Sequence, residues 1–265
     1  MFSSMKFDKI IPIIIKRCYS SAVGDSIKIT KMGRVTCIGL NMPQNKNSLN
    51  LKMLTNLKIA IDTFENDSSS SAGVLYGEQG NFSHGYDQNE LTSNVKDIQQ
   101  IVYDITKDFC KKPIVAAISG FAAGAGFDLA LWCDFRIVED TAILGSYARG
   151  FGVPLSDESA ARLCTMVGYY RALDWVLTGR MVQAKEALDV GIATRLVACG
   201  TALGQAVHLA NSLNNMPEAC LKTNRATLIS VTNQFTSPVF KQYILEEKEK
   251  NKKIALEVII FFFSY

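Results

Sequence analysis

The segment PIVAAISGFAAGAGFDLALWCDFRIVED, Pro113 to Asp140, sets the narrowest limit on what this chain can fold into. A β-branched run, PIVAAIS, stops at a turn holding Gly120, Gly124 and Gly126; an apolar helix, GFDLALWCD, follows, and FRIVED begins a second strand. Strand, helix and strand in that order form a crossover, so the two strands pair in parallel. Upstream, SIKITKMGRVTCIGLN predicts two strands around a Met32-Gly33 turn. SLNLKMLTNLKIAIDTFEN predicts a helix capped at Ser48 or Asn47, and SAGVLYGE a buried strand, joined to it by Asp67 to Ser71. A polar helix is expected from Thr92 to Cys110. From SAARLCTMVGYYRALDWVLTG onward the period is helical, with Gly179, Gly191 and Gly200 as stops. The expected fold class is α/β with mainly parallel sheets, followed by a helical C-terminal region.

Composition allows one sizeable core and argues against several classes of partner. Of 265 residues, 48% are hydrophobic and 20% charged, enough to bury a substantial interior. The 28 basic and 25 acidic residues leave a net +3, and the basic ones are scattered rather than clustered with aromatics, so no nucleic acid partner is expected. Seven cysteines form no CxxC pair, and the two histidines, His84 and His208, have no Cys or His at ligand spacing. That pattern points to free thiols in a reducing compartment and to no metal site. The opening segment is long enough to span a membrane, with Gly120-xxx-Gly124 as a packing motif. Asp128 would then sit near mid-membrane at high cost, so no integral membrane segment is expected.

The N-terminus, MFSSMKFDKIIPIIIKRCYSSA, mixes basic, apolar and hydroxyl residues and ends in Arg17-Cys18-Tyr19-Ser20-Ser21. It resembles a mitochondrial presequence cleaved two residues after an arginine, although Asp8 and Pro12 depart from that pattern. A secretory signal with IIPIII as its apolar part is the competing reading. Its core is short and broken by proline, and the odd set of free cysteines argues against export. Residues 1–22 are therefore expected to be a presequence for the mitochondrial matrix, with a mature start near Ser20.

Small residues at a helix start let a ligand approach unpaired backbone amides that carry partial positive charge. Two chemistries use such a site. A dinucleotide turn of the short-chain dehydrogenase type would set Gly120-xxx-Gly124-x-Gly126 before a strand ending in Glu139 and Asp140. The one Tyr-xxx-Lys pair, Tyr103 with Lys107, lies upstream of these glycines, the reverse of that family's order. The other chemistry is carried by KKPIVAAISGFAAGAGFDLALWCDFRIVEDTAILG, which resembles the core signature of the crotonase superfamily, the enoyl-CoA hydratase and isomerase group. The similarity continues through GVPLSDESAARL and GYYRALDWVLTGRMVQAKEALDVGIATRLV. Upstream, NMPQNKNSLN resembles the family's opening CoA-site loop and GEQGNFSHGYDQNEL its first oxyanion loop, so the match runs from about Ile27 to about Leu228.

The resemblance implies a crotonase-like core of repeated ββα units over 23–200 and a C-terminal helical oligomerisation region over 201–265. It implies an acyl-CoA thioester as substrate, no cofactor, and a homotrimer or hexamer whose contacts use the apolar spacing of ALGQAVHLANSLNNM. The backbone amides of His84 and Ala125 would form the oxyanion hole. Lys46, near a phosphate, Phe82, Gly85, Asp87 and Gly124 would bind substrate or shape its loop. Asp128 stands where the family commonly has a catalytic glutamate, on the same helix face as Ala125. An acid/base role and a pairing role within the fold are both open to it. The family hydratases' second carboxylate falls on Ala148, beside Arg149; Asp157 is a later candidate acid, Glu158 a weaker one, and a helix cap is the plainer role for Ser156 and Asp157. Asp134 looks structural. The implied activity is isomerisation or hydration of an enoyl-CoA; an acyl-CoA-binding protein without catalysis is the alternative.

Overall fold

The computed structural model describes residues 21–22, 24–90, 95–146 and 153–234. Residues 1–20 of the presequence reading and the position of Ala148 therefore lie outside the described residues. The first two long strands form a hairpin: β2 (Ile27–Met32) and β3 (Val35–Leu40) pair antiparallel across Gly33, with the short β1 (Ser21–Ala22) on the outer edge of β2. Helix α1 (Leu51–Asn66) returns the chain to β4 (Ala72–Gly77), parallel to β3. Helix α2 (Val95–Thr106) leads to β5 (Ile114–Ile118), parallel to β4. Then come β6 (Phe121–Ala123), α3 (Ala125–Trp132) and β7 (Phe135–Glu139), the last parallel to β5, as a strand, helix and strand require. The stretch that could have spanned a membrane is thus split among four elements, β5, β6, α3 and β7. No helix of the described residues is long and apolar enough to cross one.

The C-terminal third departs from an all-helical reading. β8 (Ile143–Gly145) pairs with β6 and with β9 (Val182–Gln183) in a small second sheet. Helices α4 (Asp157–Val167), α5 (Tyr169–Thr178) and α6 (Ala184–Asp189) follow the expected period, and Gly179 ends α5 in the left-handed conformation. β10 (Arg195–Val197) then joins β7 in parallel, so the main sheet runs β1-β2-β3-β4-β5-β7-β10. Strands this short show no period of their own, which is why the sequence hides them. Helices α7 (Ala202–Leu213) and α8 (Glu218–Gln234) complete the described chain.

β3, β4 and β5 are buried on both faces, as strands of a covered parallel sheet must be. One face packs on α1, α2 and α3 through Leu54, Leu57, Phe64, Val102 and Phe127. The other is covered by α7: Ala202, Ala206, Leu209 and Ala210 lie on Val35, Val74, Val115 and Ile137. One apolar side of ALGQAVHLANSLNNM is thus packed on the chain's own sheet. One boundary also moves. The cap of α1 is Asn50, whose side chain accepts from the Met53 amide at 2.8 Å, rather than Ser48 or Asn47.

Candidate functional site

The site is assembled where the loop Phe82–Asp87 meets the start of α3. The Ser83 amide donates to Phe121 O at 2.8 Å and Ser83 O accepts from the Ala123 amide at 3.0 Å, so the loop lies strand-like along β6. A Cβ on Gly126 would stand 2.7 Å from both the Cβ and the O of Ser83. One on Gly85, at φ +90°, would stand 2.7 Å from Ala123 O and 3.5 Å from the Ala125 nitrogen. Glycine at both positions is what allows the loop and the helix start to touch. Helix α3 is buried along its whole length and has no side-chain cap. Its first amides, those of Ala125, Gly126 and Phe127, have no carbonyl a turn earlier to donate to. Gly124, at φ 52°, sets the helix start, its amide donating to Gly145 O at 2.9 Å. Behind α3, the buried Arg136 donates to Cys133 O and Ile192 O, each at 2.6 Å, and places a cation at the helix's C-terminal end.

A third strand of the site is the turn before α1. Asn47 takes the left-handed conformation and is fully buried. Its side chain accepts from the Met42 amide at 2.9 Å and donates to Glu78 O at 3.0 Å and Asn81 O at 2.7 Å, while its own carbonyl accepts from the Ser83 hydroxyl at 2.8 Å. Asn47 therefore ties two loops together instead of capping a helix. Lys46, also left-handed and exposed, offers its carbonyl to the His84 amide at 3.1 Å. The amide assigned to the oxyanion hole is thus engaged with protein, and a ligand oxygen would have to displace Lys46 O. The His84 ring packs edge-on to Phe121 at 4.9 Å; burial there and the Lys46 cation lower its pKa, so the imidazole is neutral at pH 7. Phe82 is fully buried, and the Asp87 carboxylate closes its own loop by accepting from the Asn89 amide at 3.0 Å.

Asp128 lies one turn into α3, 5% exposed, and its Oδ1 has no hydrogen-bond partner among the described residues. Burial raises its pKa to about 7, against the opposing pull of Ser159 and the Arg162 cation; Glu158 adds to the rise. Tyr86, in the loop below, is pushed above its ordinary range by burial and then by the Asp128 charge, which places the phenol near the carboxylate. Ser156 caps α4, its hydroxyl accepting from the Ser159 amide at 3.2 Å, and Asp157 is the first helical residue, half-buried. The structure thus brings Glu158, Ser159 and Arg162 to Asp128 from the first turns of α4. Asp134 accepts from the Ile114 amide at 2.9 Å and from Arg225 Nε at 2.9 Å, locking strand to helix.

The residues of the dinucleotide reading are used otherwise. Glu139 Oε1 accepts from the Gly200 amide at 2.9 Å and the Ala202 amide at 3.4 Å, at the start of α7. Lys107 sits over the exposed Tyr103 ring at 5.8 Å on the outside of α2. Ser83 and Arg162 carry no mark in the sequence, and Asn47 is marked there only as a helix cap; the nearest signals are asparagine's tolerance of left-handed backbone and an arginine in an otherwise apolar helix repeat.

The sequence matches the enoyl-CoA hydratase/isomerase family over residues 30–254. A protein of Rhizobium meliloti named "Probable enoyl-CoA hydratase" is 31% identical over 87% of this chain and 94% of its own. One of Dictyostelium discoideum, "Probable enoyl-CoA hydratase, mitochondrial", is 29% identical over 69% of this chain and 68% of its own. The solved enoyl-CoA hydratase subunit I of Geobacillus kaustophilus superposes with a TM-score of 0.75 at 26% identity, covering 88% of this chain and 91% of that one.

Proposed function

The chain belongs to the enoyl-CoA hydratase/isomerase family, and from that premise we infer that it stabilises the enolate of an acyl-CoA thioester and moves the α-proton through Asp128. The observation that carries this reading is the buried Asp128 carboxylate one turn beyond the uncapped start of α3, with the His84 loop pressed against that start. The thioester oxygen would accept from the Ala125 amide and, after taking the place of Lys46 O, from the His84 amide; each such donor is worth about 3 kcal/mol at the enolate. A carboxylate that titrates at about 7 is close to the best value for both taking and returning a proton at neutral pH. Isomerisation needs only this one group, taking a proton from one carbon and giving it to another. Hydration needs a second group, and the sequence offers Ala148 there, with Asp157 as the nearest substitute. We therefore propose double-bond migration and α-proton exchange as the faster activities and hydration as the slower one.

The rest of the proposal follows the family. CoA would lie along QNKNSLN and FSHGYD, its phosphate near Lys46, with no separate cofactor. The assembly would be a homotrimer or hexamer, with contacts other than the apolar side of α7. The location would be the mitochondrial matrix, which rests on the N-terminal composition and on one relative named mitochondrial; N-terminal sequencing of protein from purified mitochondria should begin near Ser20. The deciding experiment for the chemistry is deuterium exchange at the α-carbon of a 3-enoyl-CoA, whose α-proton leaves to give the dienolate, followed by NMR. Asp128→Asn should slow it about 100-fold to 10,000-fold and leave thioester affinity nearly unchanged. Wild-type exchange in that variant removes Asp128 from the mechanism; binding with neither exchange nor turnover in the native chain makes it a carrier of acyl-CoA.

A further inference from the structure

Among the described residues, five buried side-chain polar atoms have no hydrogen-bond partner, and four of them belong to one group: Asp128 Oδ1, Ser159 Oγ, and Nε and Nη1 of Arg162. Buried polar atoms are almost always paired, so such a concentration is informative. Arg162 is 7% exposed and well anchored: Nη2 donates to Thr106 O at 2.6 Å, and the guanidinium lies 5.0 Å from the centre of the Phe109 ring. The end of α2 and the residues after it thus fix this cation, leaving two of its donors free beside α3. Ser159 and Arg162 are three apart on α4 and share the face turned to Asp128. Arg136, the other buried cation near α3, differs in having Nε, Nη1 and Nη2 all spent on carbonyls.

We propose that Arg162, assisted by the Ser159 hydroxyl, is a positioning residue that holds Asp128 available in its ionised form. An unpaired carboxylate buried among apolar side chains would stay protonated and unable to take a proton. A fixed cation in the same low-dielectric space favours the anion without touching substrate, and a guanidinium keeps its charge when buried. The groups facing Asp128 from the elements packed on it are Tyr86 from the Phe82–Asp87 loop and Glu158, Ser159 and Arg162 from α4; Glu158 opposes Arg162.

The proposal rests on Asp128 being the acid/base group, and its test reads that carboxylate directly. Asp128 is followed by ¹³C NMR in protein carrying carboxyl-labelled aspartate, its signal assigned by loss in Asp128→Asn. Arg162→Gln removes the charge and keeps a polar side chain on α4; it should move the Asp128 titration up by about one to three units, and the low-pH limb of α-proton exchange should move with it. Arg162→Lys should restore most of the shift, and Ser159→Ala, which leaves the cation in place, should give a smaller upward one. A folded Arg162→Gln whose Asp128 titrates as in wild type overturns the proposal, since a merely structural arginine would lower rate at every pH without moving the limb. If Arg162→Gln does not fold, Ser159→Ala and Arg162→Lys decide it: an unmoved titration in Ser159→Ala together with a shift in Arg162→Lys as large as that expected for loss of the cation overturns it. A titration that moves while the exchange limb stays put faults the role of Asp128 and not its coupling to Arg162.

Discussion

The titration that suits Asp128 to the proposed chemistry acts against stability at neutral pH. Its pKa is about 7 in the folded chain and about 3.9 when unfolded, so the native state holds the extra proton between those values. Its contribution to stability is complete below about pH 4 and is lost as pH rises through about 7, an effect of a few kcal/mol. Asparagine does not titrate. Asp128→Asn should therefore melt higher than wild type at about pH 8 and lose that advantage progressively down to about pH 4; parallel melting curves across this range would contradict the raised pKa. A carboxylate in a stretch of Gly, Ala and Leu was legible in the sequence as something requiring a use or a partner. Its partner was not, because Arg162 lies on another helix and its meeting with Asp128 depends on how α4 docks. Nor could the sequence indicate that the His84 amide rests on Lys46 O, since backbone pairing leaves no trace in residue type.

At the scale of elements, the site depends on the Phe82–Asp87 loop being held flush against α3. Gly126 is the tightest point, with Ser83 within 2.7 Å of any Cβ placed there. Gly126→Ala should force the two apart, costing about 1–3 kcal/mol of stability and, if the proposed roles of the His84 and Ala125 amides hold, a larger share of activity, because those amides flank the contact. Urea unfolding beside an exchange assay would show this as a rate loss in a chain that is still mostly folded; equal exchange would mean that the two segments do not need their present spacing. The period of the sequence located β2 to β5, α1 and α3 well, because each is long enough to repeat its pattern. It failed at β9 and β10, which are too short to do so, and at the start of α1, where Asn47, Ser48 and Asn50 are all cap-forming residue types and only Asn50 has the geometry.

At the scale of the molecule, one carboxylate joins the sheet to its outer cover. Glu139 ends β7 and receives the first amides of α7, which has no side-chain cap of its own. Glu139→Ala leaves the buried Ala202 amide without that acceptor and should cost about 1–3 kcal/mol; denaturant unfolding followed by tryptophan fluorescence measures it, and an unchanged midpoint would show that α7 is held by its alanines alone. The same arrangement imposes an order on synthesis. A chain is made from its N-terminus and folds as it emerges, yet the face of the sheet formed by Val35, Val74, Val115 and Ile137 waits for Ala202 to Ala210 to be covered. Through much of translation the nascent protein carries an open, adhesive sheet. Lesions in α7 should therefore appear first as lost yield in the cell, through aggregation and chaperone load, and only afterwards as slow turnover in the molecules that survive.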